Sequence, residues 1–202
     1  MNFHKIVKFK KTESEEIANI ILEANNNTII AQIGKKFIVN IFLKRCMCSK
    51  YINIFVVKKS DKIIGYSILA KKQSFFNHEF SKYKFKIILS LILKLNFFQL
   101  INLILIFINF DSIIFDKENI EKVKNSINLT YLAIHKNYRN EKIGRKFLEF
   151  IFSFYEKNSL ITVETDNKKT LNFYTKYLNF RVIGIRRRLP KKLFLLIRKE
   201  TN

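Results

Sequence analysis

The chain has 202 residues, enough for one domain with a sizeable core, read as a single domain over 1–202. It carries a formal net charge of +22 and holds 21 Phe, 4 Gly, 1 Pro and no Trp. The basic residues are spread through every segment, without a basic tail or a nucleic-acid-binding motif, so the composition reads as that of an AT-rich genome and no nucleic-acid partner is expected.

Lys5 to Lys10 alternates apolar and charged residues and predicts a first strand. The start, MNFHKIVKFKK, has no apolar signal region, which points to a cytoplasmic chain. Thr12 or Ser14 is expected to cap the next helix, with Glu15 and Glu16 in its favourable first turn. Ile17, Ala18, Ile20 and Ile21 give that helix an apolar face, and Asn25-Asn26-Asn27 ends it. A second helix is predicted over about Ile38 to Cys48, carrying Phe42 and Leu43. Cys46 and Cys48 form a lone C-x-C there. With no second Cys pair or nearby His they complete no zinc site, so they read as ordinary thiols and no metal is expected. Ile52 to Val57 and Ile63 to Ala70 predict a hairpin turning over Lys58 to Lys62, with Gly65 inside its second strand.

Residues 71–127 read as an apolar helical insertion. Lys82, Lys86, Ser90 and Lys94 recur at steps of four, which predicts one polar stripe on an otherwise apolar helix. Asn96 breaks the pattern, and Phe97 to Phe110 is strongly apolar. A membrane span needs about 20 apolar residues with few charges, and Lys94 stands near the middle of this run. A single span would also part the strands on either side of the insertion. Two readings stay open for 82–110: a packed subdomain or homodimer face, or an interfacial helix pair in peripheral contact with lipid.

Asn128 to Phe150 follows. Leu129, Tyr131, Leu132 and Ile134 predict a strand, and Lys136 to Lys142 a polar basic turn. Ile143, Phe147, Phe150, Ile151 and Phe154 then recur at helical spacing and predict one buried face. A helix N-terminus preceded by a loop of backbone N–H groups suits an anion, and Arg139, Lys142 and Arg145 add cations, so a diphosphate is the ligand this pattern suits. Leu160 to Thr165 predicts a buried strand and Thr170 to Leu178 a helix. Phe180 to Arg187 and Leu193 to Arg198 predict a last strand pair around Pro190, with Arg186-Arg187-Arg188 as a solvated basic corner.

Two motifs in this half carry a resemblance. Arg139-Asn140-Glu141-Lys142-Ile143-Gly144 resembles the R/Q-x-x-G-x-G/A pyrophosphate loop of the GCN5-related N-acetyltransferases (GNAT). Asn167-Lys168-Lys169-Thr170-Leu171-Asn172-Phe173-Tyr174, followed by Leu178-Asn179-Phe180, resembles that family's second motif. Lys142 replaces the first loop glycine and Asn179 the glycine before Phe180. Asn tolerates left-handed backbone; Lys142 is less comfortable there, but its amide can still donate if its φ is negative. The order of elements before the insertion is also similar to that family.

The resemblance implies an α/β fold with a mixed, mostly antiparallel sheet, splayed at the cofactor strand and flanked by helices, with the helical insertion before that strand. It implies N-acetyl transfer from acetyl-CoA to a primary amine. The backbone of Leu132, Ala133 and Ile134 would hold the pantetheine arm and polarise the carbonyl. Arg139, Asn140, Glu141, Lys142, Ile143, Gly144 and Arg145 would hold the pyrophosphate, with Asn167 and Asn172 completing the cofactor-binding set. Tyr174 matches the tyrosine that protonates the leaving thiolate. Many members place a Glu on the cofactor strand as base; Asn128 stands there, and Glu164 or a water chain is the candidate instead. His135, a lone His, reads as structural. The acceptor is read as a small-molecule amine of the amino-sugar or nucleotide-sugar kind. A protein N-terminus or lysine, and a non-catalytic acyl-CoA-binding module, are the alternatives.

Overall fold

The computed structural model describes residues 5–26, 28–93, 97, 100–101, 113–115, 117–139, 142–155, 159–188 and 191–198. The chain is mixed α/β. Its described strands are β1 (Lys5–Lys8), β2 (Ile52–Lys59), β3 (Lys62–Ala70), β4 (Ile113–Phe115), β5 (Ile127–Ile134), β6 (Ile161–Thr165), β7 (Phe180–Arg188) and β8 (Lys191–Arg198). It divides into two compact units, Met1–Ala70 with Leu129–Glu156, and Lys71–Asn128 with Lys157–Asn202. The division cuts β5 after Asn128.

In the first unit the strands run in the order β1-β2-β3-β5. β1 and β2 pair antiparallel, Lys5 opposite Lys58, and β2 pairs antiparallel with β3, Ile52 opposite Ala70. The β2–β3 turn places Ser60 and Asp61 at φ 48° and 62°. Two left-handed residues at the tip match the right-handed twist of the strands they join, and a short polar side chain tolerates that backbone best. The Ser14–Ala24 helix buries Ile17, Ala18, Ile20 and Ile21 as expected. Its cap differs from expectation. Glu13 is the N-cap and accepts from Lys10 N at 2.7 Å, while Ser14 Oγ donates to Lys11 O at 2.7 Å. Buried Glu13 also pairs with Lys58, which ties the helix start to β2. The second helical region starts earlier than its apolar spacing suggests. Thr28 Oγ1 caps Ile29–Ile33, and Gly34 at φ 108° turns the chain into Lys35–Phe37, π-helical Ile38–Leu43 and Lys44–Cys48. Phe42, Leu43 and Cys46 are buried and Cys48 is exposed, so the two thiols occupy opposite environments.

The second unit orders its strands β6-β8-β7-β4, each described pair antiparallel. The insertion is not wholly helical. β4 lies within it, with Ile113 opposite Arg186 and Phe115 opposite Gly184. Nor is there one striped helix: Gln73–Ser81 ends at its C-cap Lys82, and Lys84–Leu93 begins anew, so the stripe is cut at its first lysine. Lys94 lies outside the described residues. A further helix, Lys117–Asn125, precedes β5. Among the described residues no helix is long and apolar enough to cross a membrane. The Arg186–Arg188 corner is strand, not loop, because β7 runs on through Arg188.

Candidate active site

β5 sits close against β3. Ala133 is buried, and His135 N donates to Ile64 O at 2.8 Å, one residue past the strand end. The chain then makes a single turn, Lys136–Tyr138. His135 Nδ1 accepts from Asn137 N at 3.4 Å, and its Nε2 lies 3.4 Å from Glu23 Oε2. Both ring nitrogens therefore hold local structure, as expected of a lone histidine. Arg139 Nε donates to Ile134 O at 3.0 Å, so its guanidinium folds back over the end of β5. Asn140 and Glu141 lie outside the described residues.

Lys142 starts the Ile143–Phe152 helix from φ 55°, ψ 15°. Its φ is not the negative one under which its own amide would donate: Lys142 adopts the left-handed backbone that a glycine would take there at less cost. The first intrahelical bond is Lys146 N to Lys142 O at 3.4 Å, so the amides of Ile143, Gly144 and Arg145 precede it at the positive end of the helix dipole. Lys142, Arg145 and Lys146 add positive charge. Arg145 Nε lies 2.7 Å from Glu149 Oε1 and runs along the helix. Ile143, Phe147, Leu148, Ile151 and Phe152 anchor the helix in the core. Phe150 and Phe154, expected on that face, are exposed and stack on each other at 4.9 Å, with Phe154 also against Phe55. A strand, a left-handed turn and a dipole-charged helix end can hold a diphosphate through backbone amides.

In the second unit Asn167 caps the Lys168–Tyr177 helix, its Oδ1 accepting from Lys169 N at 2.8 Å and Thr170 N at 3.3 Å. Asn172 is exposed on that helix. Tyr174 is buried, 3% exposed, with Phe173 and Phe180 rings at 5.4 and 5.2 Å. Burial pushes its phenol well above the ordinary tyrosine range. Glu164 Oε1 pairs with Arg186 Nη2 at 3.1 Å, both side chains largely covered. Buried Asn128 donates from Nδ2 to Thr162 Oγ1 at 3.5 Å, and Ser126 Oγ lies 2.8 Å from the same oxygen. This Ser126–Thr162–Asn128 cluster was missed in the sequence; polar residues at alternate strand positions were its only signal.

Residues 104–180 match the model of the Acetyltransferase (GNAT) family. Solved structures agree in fold. A histone acetyltransferase HPA2 and related acetyltransferase from Corynebacterium glutamicum superposes with TM-score 0.64 at 12% identity, covering 98% of this chain and 97% of that one. An N-acetyltransferase from Staphylococcus aureus gives TM-score 0.61 at 16% identity, covering 96% and 99%. The ribosomal-protein-S18-alanine N-acetyltransferase from Escherichia coli gives 0.58 at 12% identity, covering 99% and 96%. No curated protein matches by sequence. Residues 104–180 are therefore similar to the GNAT family, and the whole chain shares the fold of solved acetyltransferases.

Lys142 at φ 55° and Asn179 at φ 60°, which stand where the resembled motifs have glycine, both take a left-handed backbone. Glycine would take that backbone at the least cost. The first helices also frame a cleft of about 320 Å³ lined by Lys11, Thr12, Ser14, Glu15, Val39, Asn40, Lys44 and Met47.

Proposed function

We propose that this chain is an N-acetyltransferase that moves the acetyl group of acetyl-CoA to a primary amine. The observation that carries this reading is the left-handed entry at Lys142 into a helix whose first three amides lie ahead of its first hydrogen bond. Those amides bind the diphosphate, and Lys142 and Lys146 neutralise it. Leu132, Ala133 and Ile134 supply the β5 backbone for the pantetheine arm. The cosubstrate brings the thioester; the chain binds, orients and moves protons.

Tyr174 donates its phenolic proton to the departing sulfur. With ordinary pKa values near 10 and 8.5 that transfer is uphill by about 2 kcal/mol. Burial raises the Tyr174 phenol further, and a thiolate released out of water is raised too, so the gap between them decides the rate. Glu164 is the candidate base, and it must do that work beside Arg186. Asn167 acts by capping the helix that carries Asn172 and Tyr174. The acceptor we favour is a small amine carrying an anionic group, of the nucleotide-sugar kind, because Lys11 and Lys44 line the cleft among the first helices.

The test is calorimetric titration with acetyl-CoA, followed by thiol release with a panel of amino sugars, nucleotide amino sugars and peptides. Binding with amine-dependent thiol release is expected, and Gly144→Val should weaken binding strongly. Binding without release would make the chain an acyl-CoA-binding module, and no binding would overturn the reading.

A further inference from the structure

The Lys84–Leu93 helix is apolar on two sides. Ile87 and Leu91, one turn apart, face inward and are buried. At 100° per residue Ile92, Phe85, Leu89 and Leu93 follow one another round the opposite side, and all four are exposed, Phe85 at 78% and Leu93 at 75%. Exposed Lys82 precedes this helix, and exposed Lys84 and Lys86 stand in its first turn. Between Phe80 and Phe110 the sequence holds no Asp or Glu, and its only charged residues are Lys82, Lys84, Lys86 and Lys94.

We propose that this face rests on an anionic lipid bilayer, with Phe85, Leu89, Ile92 and Leu93 entering the acyl boundary and the lysines reaching headgroup phosphates. Charge complementarity selects this occupant. A second copy of the chain would bring the same lysines to the interface, residues 81–110 hold no Asp or Glu, and the protein's net charge is already +22. A bilayer containing phosphatidylglycerol offers both an apolar layer and negative charge, the pair of surfaces this helix presents. The contact proposed is peripheral: the Lys84–Leu93 helix has 10 residues, about half of what a span needs. The inference does not depend on the acetyltransferase reading.

The experiment is co-sedimentation of the full chain with phosphatidylcholine vesicles, with and without about 30% phosphatidylglycerol, at low and high salt. The wild type should bind the anionic vesicles preferentially. Phe85→Ser with Leu93→Ser should lower partitioning at least tenfold with an unchanged circular dichroism spectrum, because both side chains are exposed. Changing Lys82, Lys84 and Lys86 to Glu should erase the preference for anionic lipid and leaves the apolar stripe intact as an independent check. Absence of vesicle binding overturns the proposal. So does binding indifferent to the Phe85 and Leu93 changes, which would be adsorption by diffuse charge. A dimer in sedimentation velocity that those changes dissociate, without vesicle binding, assigns the face to a second copy instead.

Discussion

A Cβ placed on Gly65 would lie 2.5 Å from Cδ1 of Ile134 and 2.8 Å from the carbonyl oxygen of Ala133. Gly65 is therefore what lets β3 approach β5 at the part of that strand proposed to hold the pantetheine arm. Its value lies in having no side chain, since its backbone is not among the left-handed positions of the chain. Gly65→Ala should cost about 1–3 kcal/mol as an overpacked core position. It should also weaken acetyl-CoA binding, because the clash includes backbone. Denaturant melts and titration on the same protein test this; unchanged stability would mean that β5 yields without penalty.

Lys142 offers the opposite test. A non-glycine residue at φ 55° carries a left-handed cost of about 1–2 kcal/mol. Lys142→Gly should recover about 1 kcal/mol, less the greater freedom that glycine gives the unfolded chain. Diphosphate affinity should fall only modestly, since the amides remain and one cation is lost. A lower melting temperature for this variant would show that the lysine side chain contributes more than its backbone costs.

Tyr174→Phe separates chemistry from packing. Phe keeps the ring that lies between Phe173 and Phe180 and removes only the hydroxyl. If Tyr174 donates the proton, kcat should fall by about 10²- to 10⁴-fold with little change in the Kd for acetyl-CoA. Full activity would assign the proton to water or another donor. Loss of folding together with binding would make Tyr174 a core residue alone.

Alkali should destabilise the chain steeply. Burial raises the phenols of Tyr66, Tyr155 and Tyr174 above 10.0, with Tyr131 beside Tyr66 adding to its shift. The hydrogen bond with Glu13 raises Lys58 above 10.5. Each group holds its proton longer folded than unfolded. Its contribution is thus fully present below the unfolded value and lost as pH rises through the folded one. Denaturation midpoints should hold steady up to about pH 9 and fall beyond pH 10. Tyrosinate absorbance should show these three phenols titrating only as the chain unfolds. Smooth titration of all 8 tyrosines in the folded state would contradict the burial argument.

Much of the fold was legible because its signals are local. Ile17 to Ile21 at helical spacing and the Ser60-Asp61 turn between alternating strands need only residues within a few positions of each other. The two GNAT motifs, in order, pointed to the family on the same terms. β4 was not legible: three residues, Ile113–Phe115, carry too short a pattern, and only pairing with β7 makes them strand. The pairing of Glu164 with Arg186 depends on strands brought side by side through β8, so no spacing announces it. The φ of Lys142 was left open by the sequence for a similar reason. Intrinsic preference argues for a negative angle, but the helix that follows is held in place by Ile143, Phe147 and Ile151 in the core. That packing outweighs a local cost of about 1–2 kcal/mol, so tertiary structure set the angle where sequence alone favoured the other sign.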